Sequence, residues 1–408
     1  MARRIIPLLV FLAVELYAFQ AIRAWVSPYR PAVRRLTYGL YWAVSAAVFG
    51  LFLLAVTGQT ADWGRGVRIF TFSAAFIALV SKLPVVLLLL VDDLRRGGGW
   101  LLNRLSPVTP RDTGRSRFLA GLALAAGGVP LATLTYGIVR NAYRYRLHRQ
   151  DVAIAGLPAA LDGFRIVQIS DMHSGSWTRQ EPLRGAVDLI NAEAADLVCM
   201  TGDLVNSRAD EMEPFVPIFR EIRARHGVVS VMGNHDYGDY ERGWNDAQRA
   251  ANLERFYATH RELGWDLLRD EHRKIRVGGA TLGVLGVENW SALRFGARGD
   301  LAAAHAGTDD CDCRLLLSHD PTHWDAQVRP DFPDIDLTLS GHTHGFQFGV
   351  EIPGFRWSPA QYMYKQWAGL YREGGQQLYV NRGLGFLGYP GRVGILPEIT
   401  VLTLRRPA

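Results

Sequence analysis

The chain has 408 residues, a formal charge of +6, 49% hydrophobic and 21% charged residues. That length allows two or three domains, each with its own core, and the balance suggests a globular protein with an apolar part attached. Lys82, Lys274 and Lys365 are the only lysines, so the basic character is carried by arginine; no dense basic stripe with interleaved aromatics occurs in the C-terminal half, and no nucleic-acid partner is expected. Cys199, Cys311 and Cys313 are too few for a disulfide framework, and the Cys311-Asp312-Cys313 pair is too isolated for a zinc site.

Residues 1–140 are expected to form an all-α transmembrane domain of about four helices. Four apolar segments, Ile5–Ile22, Leu36–Val56, Ile69–Val91 and Phe118–Val139, each approach the roughly 20 residues that cross a bilayer. One such segment alone would read equally well as a core helix, and the first as a cleaved signal peptide. Four in succession, separated by arginine-rich loops, argue for membrane spans. Glu15 in the first segment and Lys82 in the third are charges at depth, which pair or face a polar cavity; a Glu15–Lys82 pair is expected.

Arginines divide almost evenly between the two sides. Arg3, Arg4, Arg65 and Arg140 are among those on one side; Arg23, Arg34, Arg111 and Arg117 are among the slightly more numerous set on the other. The positive-inside rule then leans towards an extracytoplasmic C-terminal domain in a multi-pass protein of the bacterial inner membrane. Arg115-Ser116-Arg117-Phe118-Leu119, an imperfect twin-arginine signal, leans the same way. Residues 141–163 read as a connector, with Tyr143, Arg144, Tyr145, Arg146 and Arg149 as an interfacial anchor.

From Phe164 short apolar runs alternate with amphipathic segments. Strands are expected at Phe164–Ser170, Asp196–Thr201, Val228–Met232, Thr281–Val287, Arg314–Ser318 and Ile335–Ser340. Helices are expected at Leu183–Ala195, Asp210–Ala224 and Asp246–Leu263. The alternation predicts an α/β domain over residues 164–408. Five of the strands run into polar loops: Asp171-Met172-His173, Gly202-Asp203, Gly233-Asn234-His235-Asp236, Ser318-His319-Asp320 and Gly341-His342-Thr343-His344. Ligands in open α/β sheets collect at the carboxyl ends of strands, so these loops are expected to converge on one site.

Asp171, His173, Asp203, Asn234, His319, His342 and His344 are too many donors for one ion and suit two. Oxygen and imidazole donors without thiolate favour manganese, iron or zinc. Asp203 could bridge, and Asn234 could ligate without adding charge beside an anionic substrate. Two such divalent cations would clamp a phosphate and lower the pKa of a bridging water, whose hydroxide would attack phosphorus. His235 could protonate the leaving group, with Asp236 holding its ring.

These motifs, in this order, resemble the full set of the calcineurin-like metallophosphoesterases over roughly residues 164–404. The resemblance implies a four-layer α/β/β/α sandwich with a two-metal site. By matching position it assigns Asp171, His173, Asp203 and His344 to one metal, and Asp203, Asn234, His319 and His342 to the other, with His235 and Asp236 as the catalytic pair. The apolar N-terminus and the tail Asn381-Arg382-Gly383-Leu384-Gly385, with Arg392 and Pro397-Glu398-Ile399, resemble a narrower branch: membrane-associated bacterial phosphohydrolases related to transmembrane proteins with a metallophosphoesterase domain. Some relatives in that branch are linked to hydrolysis of UDP-2,3-diacylglucosamine, a cytoplasmic nucleotide lipid.

The aromatic segment Pro353–Gly388, with Trp357, Tyr362, Tyr364, Trp367 and Tyr371, reads either as loop packing or as a wall for a lipid-like group; Arg382 or Arg392 could meet a second phosphate. The expected function is thus a membrane-anchored phosphohydrolase acting on a phosphorylated, lipid-like substrate. The competing reading is a catalytically weak metal-binding sensor coupled to the membrane domain, although no ligand position is missing.

Overall fold

Small residues organise the N-terminal helices. The structure, a computed structural model, describes residues 2–60, 63–105, 115–241 and 243–407; side chains of residues 2–8 and 65 are not described. Two units divide at Tyr136–Gly137. The first contains α1 (Ala2–Trp25), α2 (Pro31–Val56), α3 (Arg65–Val80), α4 (Lys82–Leu105) and α5 (Arg117–Tyr136). Ala18 and Ala21 of α1, Val85 and Leu89 of α4, and Ala120 and Ala123 of α5 form its buried seam. The alanines of α1 and α5 let helices approach closely where no hydrophobic effect drives them together.

Three stretches of described residues are long and apolar enough to cross a membrane: Pro31–Val56, Gly66–Leu105 and Arg117–Asn141. The expected first span lies within a 24-residue helix but is not among these three. The expected third span is divided between α3 and α4 at Ser81, whose hydroxyl donates to the Ile77 carbonyl at 2.7 Å. Lys82 and Glu15 do pair. Ser45 donates to the second Glu15 oxygen, and Lys82 lies 5.3 Å from the Tyr41 ring centroid. Arg111 lies outside the described residues, as do the side chains of Arg3, Arg4 and Arg65.

The second unit contains β1 (Arg146–Ala153), β2 (Arg165–Ile169), β3 (Leu197–Thr201), β4 (Val228–Val231), β5 (Asp266–Leu267), β6 (Glu271–Val277) and β7 (Ala280–Gly286). It continues with β8 (Cys313–Leu317), β9 (Leu337–Ser340), β10 (Val350–Ile352), β11 (Phe355–Trp357), β12 (Gly369–Glu373), β13 (Gln376–Val380) and β14 (Glu398–Arg405). One sheet runs β1-β14-β2-β3-β4-β5, the other β12-β13-β9-β8-β7-β6, and β10 and β11 pair as a separate hairpin. Each ligand-bearing strand follows a parallel neighbour: β2 with β3, β3 with β4, and β8 with β9.

Period-two alternation explains the layers. In β3, Leu197 and Cys199 join Leu282, Leu315 and Leu337 of the other sheet in the central core. Val198 and Met200 face the opposite way, against Leu183 and Ile190 of α6 (Glu181–Ala192). Behind the second sheet, Leu316 packs with Leu301, Ala304 and Trp324 from short helical turns. The result is the α/β/β/α sandwich that the resemblance implied.

Two local expectations change. Asp210–Ala224 is not one helix: a 3-10 run over Ala209–Phe215 precedes one α-turn at Val216–Phe219, because Pro214 and Pro217 each remove a backbone donor. Arg146–Ala153, read as part of a connector, is a strand paired in parallel along all of β14. The helix at Asp246–Leu263 lies where expected, with an Asn245–Gln248 capping box and Gly264 at φ 72° closing it.

Candidate metal centre

The loops leaving β2, β3, β4, β8 and β9 at their carboxyl ends meet at one place. Asp171, His173 and His344 form one group of potential ligands; Asp203, His319 and His342 form a second. In the first, His173 Nε2 faces His344 Nε2 at 3.0 Å, and His344 Nε2 lies 3.2 Å from Asp171 Oδ1. In the second, His342 Nδ1 faces His319 Nε2 at 3.2 Å, and His319 Nε2 lies 3.1 Å from Asp203 Oδ2. The same Asp203 oxygen lies 3.5 Å from His173 Nε2, so one carboxylate touches both groups.

Backbone conformation aims these side chains. Asp171, His173, Asp203, His342 and His344 all have positive φ, between 45° and 69°. Non-glycine residues hold such angles at a cost, and they concentrate at functional sites whose surroundings fix them. Cross-loop bonds provide the fixing: Asp171 N–H donates to the Gly202 carbonyl at 2.9 Å, and His173 N–H to the Asp203 carbonyl at 3.1 Å. His342 N–H donates to the Asp171 carboxylate at 3.0 Å. Gly233 is required for space rather than for a turn. A Cβ there would lie 2.2 Å from Asp203 Oδ1, and its φ is not positive.

The donor set fits cations. His319 Nδ1–H donates to the Thr201 carbonyl at 2.7 Å, which leaves the Nε2 lone pair facing Asp203 and His342. Facing ring nitrogens at 3.0 and 3.2 Å need a proton or a cation between them. Asn234 Oδ1 is buried without a hydrogen-bond partner, while its Nδ2 donates to Tyr240 at 2.8 Å. An acceptor so placed is costly unless something electropositive meets it. With no cation present, burial lowers the His319 ring's proton affinity but the Asp203 carboxylate outweighs it, holding the ring up to about 10. Burial likewise raises the Asp171 carboxyl, and the facing His344 ring overcomes this and holds it low.

His235 and Asp236 are not arranged as a pair. The Asp236 carboxylate is buried and accepts from three backbone amides: Asp203 at 2.9 Å, Gly233 at 2.8 Å and Val205 at 3.2 Å. It fixes the Asp203 and Asn234 loops to each other. The His235 ring is instead oriented by the carbonyl of Asn206, 2.7 Å from Nδ1. No side-chain pattern could have shown a backbone acceptor.

Arg382 and Arg392 are also corrected. Both are buried, and neither is free to meet a second phosphate. Arg382 pairs with Glu398 and with Glu351 at 2.6 Å. Arg392 donates to the carbonyls of Arg382 at 2.7 Å, Gly383 at 3.1 Å and Gly385, pinning the tail loop behind His344. Tyr364, read with the aromatic segment as loop packing or an apolar wall, and Asp320, named only within its loop, both belong to the site. His342 Nε2 lies 3.0 Å from the Tyr364 hydroxyl and 3.5 Å from Asp320 Oδ2.

An α/β/β/α sandwich with two His/Asp ligand groups at its strand ends defines a metal-dependent phosphoesterase. Comparison with known proteins agrees. Residues 164–346 match the family model "Calcineurin-like phosphoesterase", and residues 2–142 match "Probable Calcineurin-like phosphoesterase, transmembrane domain". An uncharacterised metallophosphoesterase of Bacillus subtilis, YkuE, is 30% identical over 299 residues, covering 71% of this chain and 97% of its own. A transmembrane protein with metallophosphoesterase domain from Danio rerio is 28% identical over 320 residues, 75% of this chain and 68% of its own. The chain belongs to the calcineurin-like metallophosphoesterases, with a membrane-associated N-terminal domain.

Proposed function

We propose that the protein is a membrane-anchored two-metal phosphohydrolase that cleaves a phosphoester or phosphoanhydride bond of a lipid-linked substrate. The observation that carries the two-metal reading is Asp203 Oδ2, which touches a histidine of each ligand group. Asp171, His173, Asp203 and His344 hold one divalent cation; Asp203, Asn234, His319 and His342 hold the other. Manganese, iron or zinc suits these donors. Two such cations, when bound, neutralise phosphate charge and make water a nucleophile at neutral pH.

The remaining chemistry belongs to side chains. His235 donates its Nδ1–H to the Asn206 carbonyl, which turns Nε2 away from that bond; as the imidazolium the ring gives its Nε2 proton to the leaving oxygen. Asp236 keeps Asp203 and Asn234 in register. Tyr364 holds His342 by Nε2 and so leaves Nδ1 to ligate.

A lipid-like substrate is supported by apolar surface following His344. Phe346, Phe348, Val350, Ile352 and Phe355 are exposed along one hairpin and its approach, and Tyr362 beyond it is 77% exposed. Exposed apolar residues gathered on one segment mark contact with lipid or another apolar partner. A phospholipid fits that description on either side of the membrane; a nucleotide lipid of the UDP-2,3-diacylglucosamine kind, being cytoplasmic, fits only a catalytic domain that faces the cytoplasm. We place the protein in the bacterial inner membrane as a multi-pass protein, with the catalytic domain extracytoplasmic on the arginine distribution; a C-terminal reporter active only in the cytoplasm would reverse that side.

Purified protein is expected to hydrolyse a generic aryl phosphodiester with manganese and to lose activity with chelator. Full activity in an Asp203→Ala, Asn234→Ala double variant would refute the two-metal reading. Lipid extract incubated with wild type and with His235→Ala, compared by mass spectrometry, identifies the substrate; consumption of only soluble phosphoesters would refute the lipid reading.

A further inference from the structure

The N-terminal unit contains a cavity of about 500 Å³ lined by Arg23, Arg34, Arg96, Arg115, Arg117 and Tyr38, among other residues. Guanidinium groups repel one another, so five around one space need anions to balance them. Among the described residues of this unit the carboxylates are Glu15, Asp92 and Asp93. All three are already engaged. Glu15 pairs with Lys82. Asp92 pairs with Arg95 at 2.9 Å and Arg115 at 3.4 Å, and Asp93 with Arg96 and Arg115, each at 2.8 Å. Arg23, Arg34 and Arg117 make no ion pair with a described carboxylate.

Helix geometry adds to this charge. Arg34 lies in the opening turns of α2 and Arg117 begins α5, and neither helix has an acidic residue in its first turn. A helix start carries partial positive charge and unpaired N–H groups, which favour a bound anion. Arg96 and Arg115 are held in position by Asp92 and Asp93, and Tyr17 donates to Asp93. Part of the cavity wall is therefore fixed before any ligand arrives. Around it, Trp25, Tyr29, Val33 and Leu36 of α1, α2 and their connection are exposed. Aromatic and apolar side chains beside arginines are the signature of a membrane–water boundary.

We propose that this cavity binds the phosphate of an anionic membrane lipid headgroup, with Arg23, Arg34 and Arg117 as its free cationic contacts. The cavity is formed by the N-terminal unit alone, so the proposal does not rest on the substrate assigned to the metal centre. It gives the membrane unit a ligand of its own, and a role beyond anchoring.

The test is binding of full-length protein in neutral-lipid nanodiscs to titrated phosphatidic acid or phosphatidylglycerol, with glycerol 3-phosphate and inorganic phosphate as soluble arms. Saturable binding of the anionic lipids is expected. An Arg23→Gln, Arg34→Gln, Arg117→Gln variant should lose roughly tenfold or more in affinity, since each basic residue near a membrane surface contributes measurably to anionic-lipid binding. The corresponding lysine variant should retain most of it, and the exposed Arg35→Gln, outside the cavity, should leave it unchanged. The lysine variant, with circular dichroism of all three, separates lost binding from lost folding. Equal loss in Arg35→Gln would show diffuse surface charge and overturn the site. Binding of inorganic phosphate alone, with none of the lipids, would overturn the headgroup assignment.

Discussion

Asp236→Asn separates two accounts of one carboxylate. If Asp236 oriented His235, the substitution would slow turnover and leave metal binding intact. In the structure its two oxygens accept three backbone N–H groups, two at Oδ2 and one at Oδ1. Asparagine has one acceptor oxygen. Turned to keep the Asp203 and Gly233 amides, it sets its own NH₂ against the Val205 N–H; turned the other way, it loses two bonds instead of one. Burial, with the Asp203 charge beside it, raises the Asp236 carboxyl to about 8, so its bonds are of ordinary rather than fully charged strength. Such a bond contributes about 0.5–1.5 kcal/mol, and a buried donor left unpaired costs about 1–3 kcal/mol, so a destabilisation of about 2–4 kcal/mol is expected. Because the amides belong to the Asp203 and Asn234 loops, manganese affinity should also fall, by about ten- to a hundredfold, as for other groups that hold ligands in place. Calorimetric manganese titration and chemical denaturation of the same preparation read both effects. Loss of kcat equal to that of His235→Ala, with metal affinity and stability unchanged, would refute this reasoning.

Other perturbations probe the rest. His235→Ala should lower kcat by about 10²–10⁴-fold, the usual size of a lost proton donor, with manganese content unchanged by elemental analysis. Glu15→Lys should leave two buried cations together and reduce accumulation in the membrane, since breaking a buried pair costs about 3–5 kcal/mol; adding Lys82→Glu should restore it, and absence of rescue would remove the pair from the account. His260 is buried, with Ser230 Oγ 3.1 Å from Nε2 and the Phe256 carbonyl 3.2 Å from Nδ1, and burial lowers its pKa to about 4. The folded state then binds fewer protons than the unfolded state between about pH 6.5 and 4, so stability should fall as pH falls through that window, by up to about 3 kcal/mol from this residue. Denaturation midpoints of wild type and His260→Gln across pH 7 to 4 should therefore converge on acidification; parallel curves would exclude the histidine.

Much of the metal centre was legible because each ligand loop follows an apolar strand, and the β-run of Leu197–Thr201 ends where Asp203 begins its work. The sandwich layers followed from the same alternation, since Leu197 and Val198 must face different cores. What was not legible was the partner of each polar group. Arg382 and Arg392 carry the residue type of a phosphate clamp, yet Glu398 and Glu351 take the terminal nitrogens of Arg382 and a row of carbonyls takes the donors of Arg392. His235 and Asp236 are adjacent in sequence, but the turn sends one side chain to the Asn206 carbonyl and the other under the Asp203 loop. β1 was read as an anchor because its pairing partner, β14, lies more than two hundred residues away in the chain. The Glu15–Lys82 pair was readable because two charges at depth leave each other few alternatives.

The central claim is that two cations share Asp203. Manganese bound per chain, measured by elemental analysis on desalted wild type, Asn234→Ala and Asp203→Ala, tests it most directly. Wild type should hold two ions, Asn234→Ala should empty one group, and Asp203→Ala should weaken both. A single ion in active wild type, or two ions retained by Asp203→Ala, would contradict it.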